Sequence, residues 1–140
     1  MTSLALEALA LSRAGDREGA IALLLAAREN SPLDDPATSL LFSLLGDRGD
    51  DVDDHALKVE LCERGLELAT RPVQRSTWHL RRGLLWLERR EASRALVDLQ
   101  RVLALQASDD HLEQAREALL QVAALSPARP GRKTTRGERS

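Results

Sequence analysis

Residues 4–32 read LALEALALSRAGDREGAIALLLAARENSP, and this stretch decides the fold. It predicts two short amphipathic helices joined by a tight turn at Ala14-Gly15-Asp16. In the first helix, about Ser3 to Ala14, Leu4, Ala8 and Leu11 share one face, and Leu6, Leu9 and Arg13 share another. Gly15 ends this helix, because a residue without a Cβ enters the left-handed region at no steric cost. Asp16 is placed to cap the second helix, about Arg17 to Glu29, by accepting from its free amides. Ala20, Leu23, Leu24 and Ala27 form the inward face of that helix, and Asn30-Ser31-Pro32 stop it.

The composition fits more of the same. The chain has 140 residues, 43% of them hydrophobic but only 2% aromatic. Leu, Ala and Val therefore supply nearly all apolar surface, and Leu and Ala lose little side-chain freedom in helices. The length fits one domain with a real core. The net charge of −2 hides an asymmetry. Residues 1–70 hold six basic and fourteen acidic side chains, a net of −8, whereas residues 71–140 hold fourteen and eight, a net of +6. The opposite halves suit partners of opposite sign, or a head-to-tail homo-oligomer.

Cys62 is the only cysteine, so no intrachain disulfide forms, which fits a reducing compartment. The N-terminus has no secretory signal pattern, and no apolar run approaches the roughly 20 residues that span a bilayer. The expected location is the cytoplasm. Lys58 and Lys133 are the only lysines among twenty basic residues. Arginine with abundant alanine and leucine points by codon usage to a GC-rich, bacterial source.

Five more helices are expected downstream. Asp35 as cap and Pro36 at the first helical position start one that runs to Leu45, apolar nearly all round. The acidic stretch GDRGDDVDDH, residues 46–55, follows. Its aspartates do not fall in an EF-hand register from either Asp47 or Asp50, so a solvated turn is expected rather than a cation loop, with Asp53 or Asp54 capping the next helix. Helices are expected at about Asp54–Ala69, Val73–Arg89, Glu91–Leu105 and Asp109–Leu125, the last capped by Ser108-Asp109-Asp110, with Asp110 and Glu113 resembling a capping box. Pro127 closes it, leaving residues 127–140 as a basic, disordered tail.

Leu11, Ala20, Leu24 and Ala27 are spaced by 9, 4 and 3 residues, and so are Trp86, Ala95, Leu99 and Val102. A large residue on one helix, a small one early on the next and a large one a turn later are what two closely approaching helices need. This internal repeat resembles the tetratricopeptide repeat, a helix-turn-helix unit of about 34 residues. The matching positions are Leu11, Gly15, Ala20, Leu24, Ala27 and Pro32 in one copy and Gly83, Trp86, Ala95, Leu99 and Val102 in another. A degenerate middle copy carries Leu41, Leu45, Cys62 and Gly65, with the acidic loop inserted in its turn and Lys58 where a small residue belongs.

The resemblance implies an all-α, right-handed stack of about three hairpins over residues 1–126, with a C-terminal capping helix. It also implies a non-catalytic adaptor, scaffold or assembly subunit that binds a partner peptide or helix on the first helix of each pair. The groove positions would be Leu6, Leu9 and Arg13, then Leu40 and Ser43, then Leu80, Arg81, Leu84 and Leu87. The Lys and Asn with which some members hold a terminal carboxylate are not matched. The alternative is nucleic-acid or anionic-partner binding through the arginine-rich second half, with Arg75, Arg82 and Arg89 on one helical face. Interleaved Glu88, Glu91 and Asp98 argue against nucleic acid. His55, His79 and His111 are far apart and lack ligand spacing, so no metal, cofactor or catalytic site is expected.

Overall fold

The computed structural model describes residues 3–49 and 52–125. Among these residues there are seven α-helices and no strand: α1 (Leu4–Arg13), α2 (Arg17–Asn30), α3 (Asp35–Gly46), α4 (His55–Leu68), α5 (Pro72–Glu88), α6 (Ala92–Leu105) and α7 (Asp109–Leu125). They divide into two compact units at the Thr70–Arg71 junction. Asp50, Asp51 and the expected tail at 127–140 lie outside the described residues.

In the first unit α1 pairs with α2 and α3 pairs with α4, while α2 and α1 both rest against α3. One core joins the two hairpins: Ala8, Ala20, Ile21, Leu24, Leu33, Ala37, Leu41, Leu44, Leu45 and Leu61 are all buried in it. The second unit repeats the scheme with one helix fewer. α5 pairs with α6, and α7 packs on both. Its core is Leu80, Ala95, Leu99, Val102, Ala115, Ala118 and Val122.

The turns of the α1–α2 and α5–α6 hairpins match atom for atom. The Asp16 amide donates to the Leu11 carbonyl at 2.9 Å, and seventy-five residues later the Glu91 amide donates to the Trp86 carbonyl at 2.9 Å. Each turn passes through one left-handed residue, Gly15 at φ 90° and Arg90 at φ 59°. The same offset relates Ala20, Leu24 and Ala27 to Ala95, Leu99 and Val102. It also relates Ala8 to Gly83, which are both buried. A Cβ on Gly83 would lie 2.9 Å from Leu99 Cδ2 and 3.0 Å from Leu99 Cγ. A Cβ at this crossing would therefore push the Leu99 side chain aside.

One cap differs from the sequence expectation, and at two others the structure chooses between the residues expected. Asp34, not Asp35, caps α3, its carboxylate accepting from the Ala37 amide at 3.0 Å. Pro36 therefore sits one place further into the helix, where its missing amide is still harmless. Of the expected Ser108-Asp109-Asp110 start of α7, Ser108 is the cap, accepting from the His111 amide at 3.3 Å, and Asp110 and Glu113 lie within the first turns rather than forming the box. Asp54 stands at the cap position of α4, but its side chain makes no cap bond. It is drawn instead to Arg48 at 3.1 Å, and Asp53 accepts from the His55 amide at 3.1 Å. Lys58 is half-buried, and the α3–α4 hairpin packs less extensively than α1–α2 or α5–α6.

Substituting Gly83 by Ala forces Leu99, which has no free surface, to move. Overpacking of this kind costs more than the helix-propensity gain returns, so the variant is expected to lose about 1 kcal/mol in urea unfolding. Gly46→Ala, where nothing lies within 4 Å of the added Cβ, is expected to be neutral or stabilising by a few tenths.

Candidate functional site

α1 and α3 lie side by side in the first unit, so the helices that carry Leu6, Leu9, Arg13, Leu40 and Ser43 are neighbours. Leu6 is 60% exposed, the highest value for a large apolar side chain among the described residues of its unit. Leu9 is half-buried, and neither it nor Leu6 packs against the core cluster. Arg13 and Ser43 are exposed. Leu40 is half-buried and leans on the core.

In the second unit α5 and α7 are the corresponding neighbours. Between their C-terminal ends lies an open cleft of about 310 Å³, lined by Leu87, Glu88 and Arg90 on one side and Gln121, Ala124 and Leu125 on the other. Leu87 is thus the one expected groove residue that lines it. Leu84 is half-buried against the core. Arg81 sits over the Trp78 ring, its guanidinium carbon 4.6 Å from the centroid, a cation–π contact that fixes its direction. Leu80 is only 5% exposed and belongs to the core. Helical spacing places it on a face but does not say which neighbouring helix covers that face.

A larger cleft, about 500 Å³, opens in the first unit between the end of α2 and α4. Arg28, Glu29, Asn30, Ser31, Pro32 and Leu33 line one side of it, and Glu60, Leu61 and Arg64 the other. Its arginines are engaged. Arg28 pairs with Glu60, and Arg64 Nε donates to the Leu33 carbonyl at 2.9 Å.

The expected basic face is divided. Arg75 and Arg89 are exposed, but Arg82 is turned to Asp98. Asp98 is 2% exposed, and three side chains of α5 converge on its carboxylate. Arg82 donates twice, Nε to Oδ2 at 2.9 Å and a terminal nitrogen to Oδ1 at 2.8 Å. His79 Nδ1 lies 2.9 Å from Oδ1, and the Trp86 indole donates to Oδ2 at 3.2 Å. Arg94 stacks on the outer face of Trp86 at 4.8 Å. Burial acting alone would raise the Asp98 pKa. The bonds and charges of His79 and Arg82 outweigh it and hold the carboxyl below its ordinary value of 3.8. Two sequence signals lead to this cluster: Asp98 shares the inward face of Ala95, Leu99 and Val102, and His79 and Arg82 stand one turn apart on α5.

A second polar pair ties α5 to α7, with Ser76 Oγ 2.8 Å from His111 Nδ1. The distance suits a nucleophile and its base. Ser76, however, has no exposed surface, so no substrate carbonyl reaches its hydroxyl, and the bond serves to join two helices. Among the described residues no three His, Cys, Asp or Glu side chains gather as a metal site would need. Among the described residues no helix is long and apolar enough to cross a membrane. The chain matches no protein-family model, and no curated protein is significantly similar to it.

Removing the Asp98 carboxylate strands the Arg82 guanidinium at the helix crossing. Asp98→Ala is expected to cost about 3 kcal/mol by urea unfolding. The sign with pH follows from the lowered pKa. The folded state holds its proton less tightly than the unfolded state, so the contribution is full above about pH 4 and is lost as pH falls through the folded value. Acid unfolding of Asp98→Asn followed by circular dichroism should show a shallower pH dependence below pH 4 than the parent. An unchanged slope contradicts this assignment.

Proposed function

We propose that this chain is a non-catalytic protein–protein interaction module. In this reading it is a small tetratricopeptide-like array of three helical hairpins and a capping helix that receives an apolar partner peptide or helix on the first helix of its pairs. The observation that carries the reading is the unspent apolar face of α1, where Leu6 is 60% exposed and Leu9 adds nothing to the core although α3 lies alongside. Exposed leucine on a helix flanked by a parallel neighbour is the arrangement into which an amphipathic segment docks by its i, i+3 and i+4 side chains. The cleft beside Leu87 supplies a corresponding position in the second unit. The matched turns and crossings of the α1–α2 and α5–α6 hairpins support the repeat.

The nucleic-acid alternative is weakened by the same geometry. Arg82 is committed to Asp98, and Arg81 and Arg94 lie on Trp78 and Trp86. Arg82 is then not presented to a phosphate, and the ring faces covered by Arg81 and Arg94 are not open to stacking bases.

A random-peptide display library selected on the immobilised chain tests the proposal. Recovered peptides should bind the parent and lose at least tenfold in affinity to Leu6→Glu/Leu9→Glu. Both leucines lie outside the core, so the variant should keep its helical content. Between about 0.1 and 0.5 M salt, affinity should change less than about threefold, whereas phosphate contacts would cost orders of magnitude. Peptides indifferent to the double variant, or binding that collapses with salt, would sink the proposal.

A further inference from the structure

The two matched hairpins pose a problem of pairing. α5 and α1 present the same crossing, Gly83 or Ala8, to second helices with the same inward pattern, Ala95-Leu99-Val102 or Ala20-Leu24-Ala27. By size alone α5 fits α2 as well as it fits α6, whether within one molecule or between two copies.

The residues at the Asp98 cluster break this equivalence. Seventy-five positions earlier, His79, Arg82, Trp86 and Asp98 correspond to Leu4, Glu7, Leu11 and Leu23. Leu4, Leu11 and Leu23 pack against the apolar core of the first unit, and Glu7 is exposed. One hairpin therefore closes with an apolar set and the other with a buried carboxylate held by a guanidinium, an imidazole and an indole at 2.8–3.2 Å. We propose that the Asp98 cluster is a pairing code: it makes α5 close on α6 and on no other second helix, and so excludes hairpin exchange within the chain and with a second copy.

The physics penalises both wrong pairings. With α2 opposite, His79 and Arg82 meet Leu23 in place of Asp98, and a half-buried cation loses its counter-ion. With α1 opposite, Asp98 meets Leu4 and Leu11, and Glu7 stands where Arg82 should be, so a carboxylate is buried beside a like charge. Apolar pairs discriminate weakly between partners, whereas a stranded buried charge discriminates strongly. Burying an ion pair adds little stability over a well-packed apolar pair, so the cluster's worth lies in choosing the partner.

The test copies the first hairpin's residues into the second in the full chain: His79→Leu, Arg82→Glu, Trp86→Leu and Asp98→Leu. Isotopically heavy and light preparations are unfolded together in urea, refolded and weighed by native mass spectrometry, beside a mixture of the same proteins never unfolded. The mixed-mass oligomer that forms only on co-refolding reports exchanged hairpins. It should rise at least tenfold over the parent while helical content is kept. A second variant writes the code into the first hairpin with Leu4→His, Glu7→Arg, Leu11→Trp and Leu23→Asp, and should also raise exchange. Exchange no greater than the parent's in either folded variant overturns the proposal. Unfolding of the first variant overturns it too, because the α1–α2 hairpin holds together with those residues.

Discussion

Packed helix axes lie about 8–10 Å apart and come closest where a side chain at the crossing is given up. In this chain Gly83 gives it up completely, and Leu99 of α6 fills the space to within 2.9 Å of where a Cβ would stand. In the other matched hairpin Ala8 occupies the corresponding place, also without free surface. Much of each unit follows from these crossings. They set the register of first helix on second, and the register brings Leu24 or Leu99 into the core. The turn must then reverse within three residues, which forces one left-handed residue at Gly15 or Arg90.

The close approach also explains why a charge can be buried at the crossing. Asp98 precedes Leu99, so the carboxylate is carried directly against α5, where His79, Arg82 and Trp86 follow at intervals of three and four residues. Helical spacing lets one side of about two turns supply every donor. The arrangement is fully satisfied on the carboxylate side, which is the condition under which a buried polar group is tolerated.

Much of this was legible in the residues. Gly15, Asp16 and Pro32 act through their own backbone and side-chain chemistry, so the first hairpin could be read locally, and the helices fall within one or two residues of expectation. Where several residues of one kind compete, the pattern does not choose. Asp34 and Asp35 are both good caps, and only the path of the chain out of Leu33 selects the first. Leu80 and Leu84 look alike by spacing, yet Leu80 is covered by the core of its own unit. Arg82 reads as one of a solvated run because its partner is sixteen residues away on another helix. Arg90 is harder still, since its left-handed backbone carries no glycine to announce it. The face of α1 was readable as apolar; whether a neighbour would cover it was not.

The joint between the two hairpins of the first unit is edged by arginines. Arg17 reaches the Asp47 carbonyl at 2.8 Å, Arg48 reaches Glu18 at 3.1 Å, Arg64 reaches the Leu33 carbonyl at 2.9 Å, and Arg28 reaches Glu60. Within a hairpin, the contacts link residues near in sequence, and they form early and quickly because little loop entropy stands in the way. The arginine links span about thirty residues and hold long, half-solvated side chains. Such links are the last to close and the first to part, while the apolar core that joins the two hairpins holds beneath them, so opening of the seam is a local event well below global unfolding. Any partner lying across both first helices, α1 and α3, would bridge that seam and slow its opening, coupling occupancy of the outer face to amide exchange far behind it.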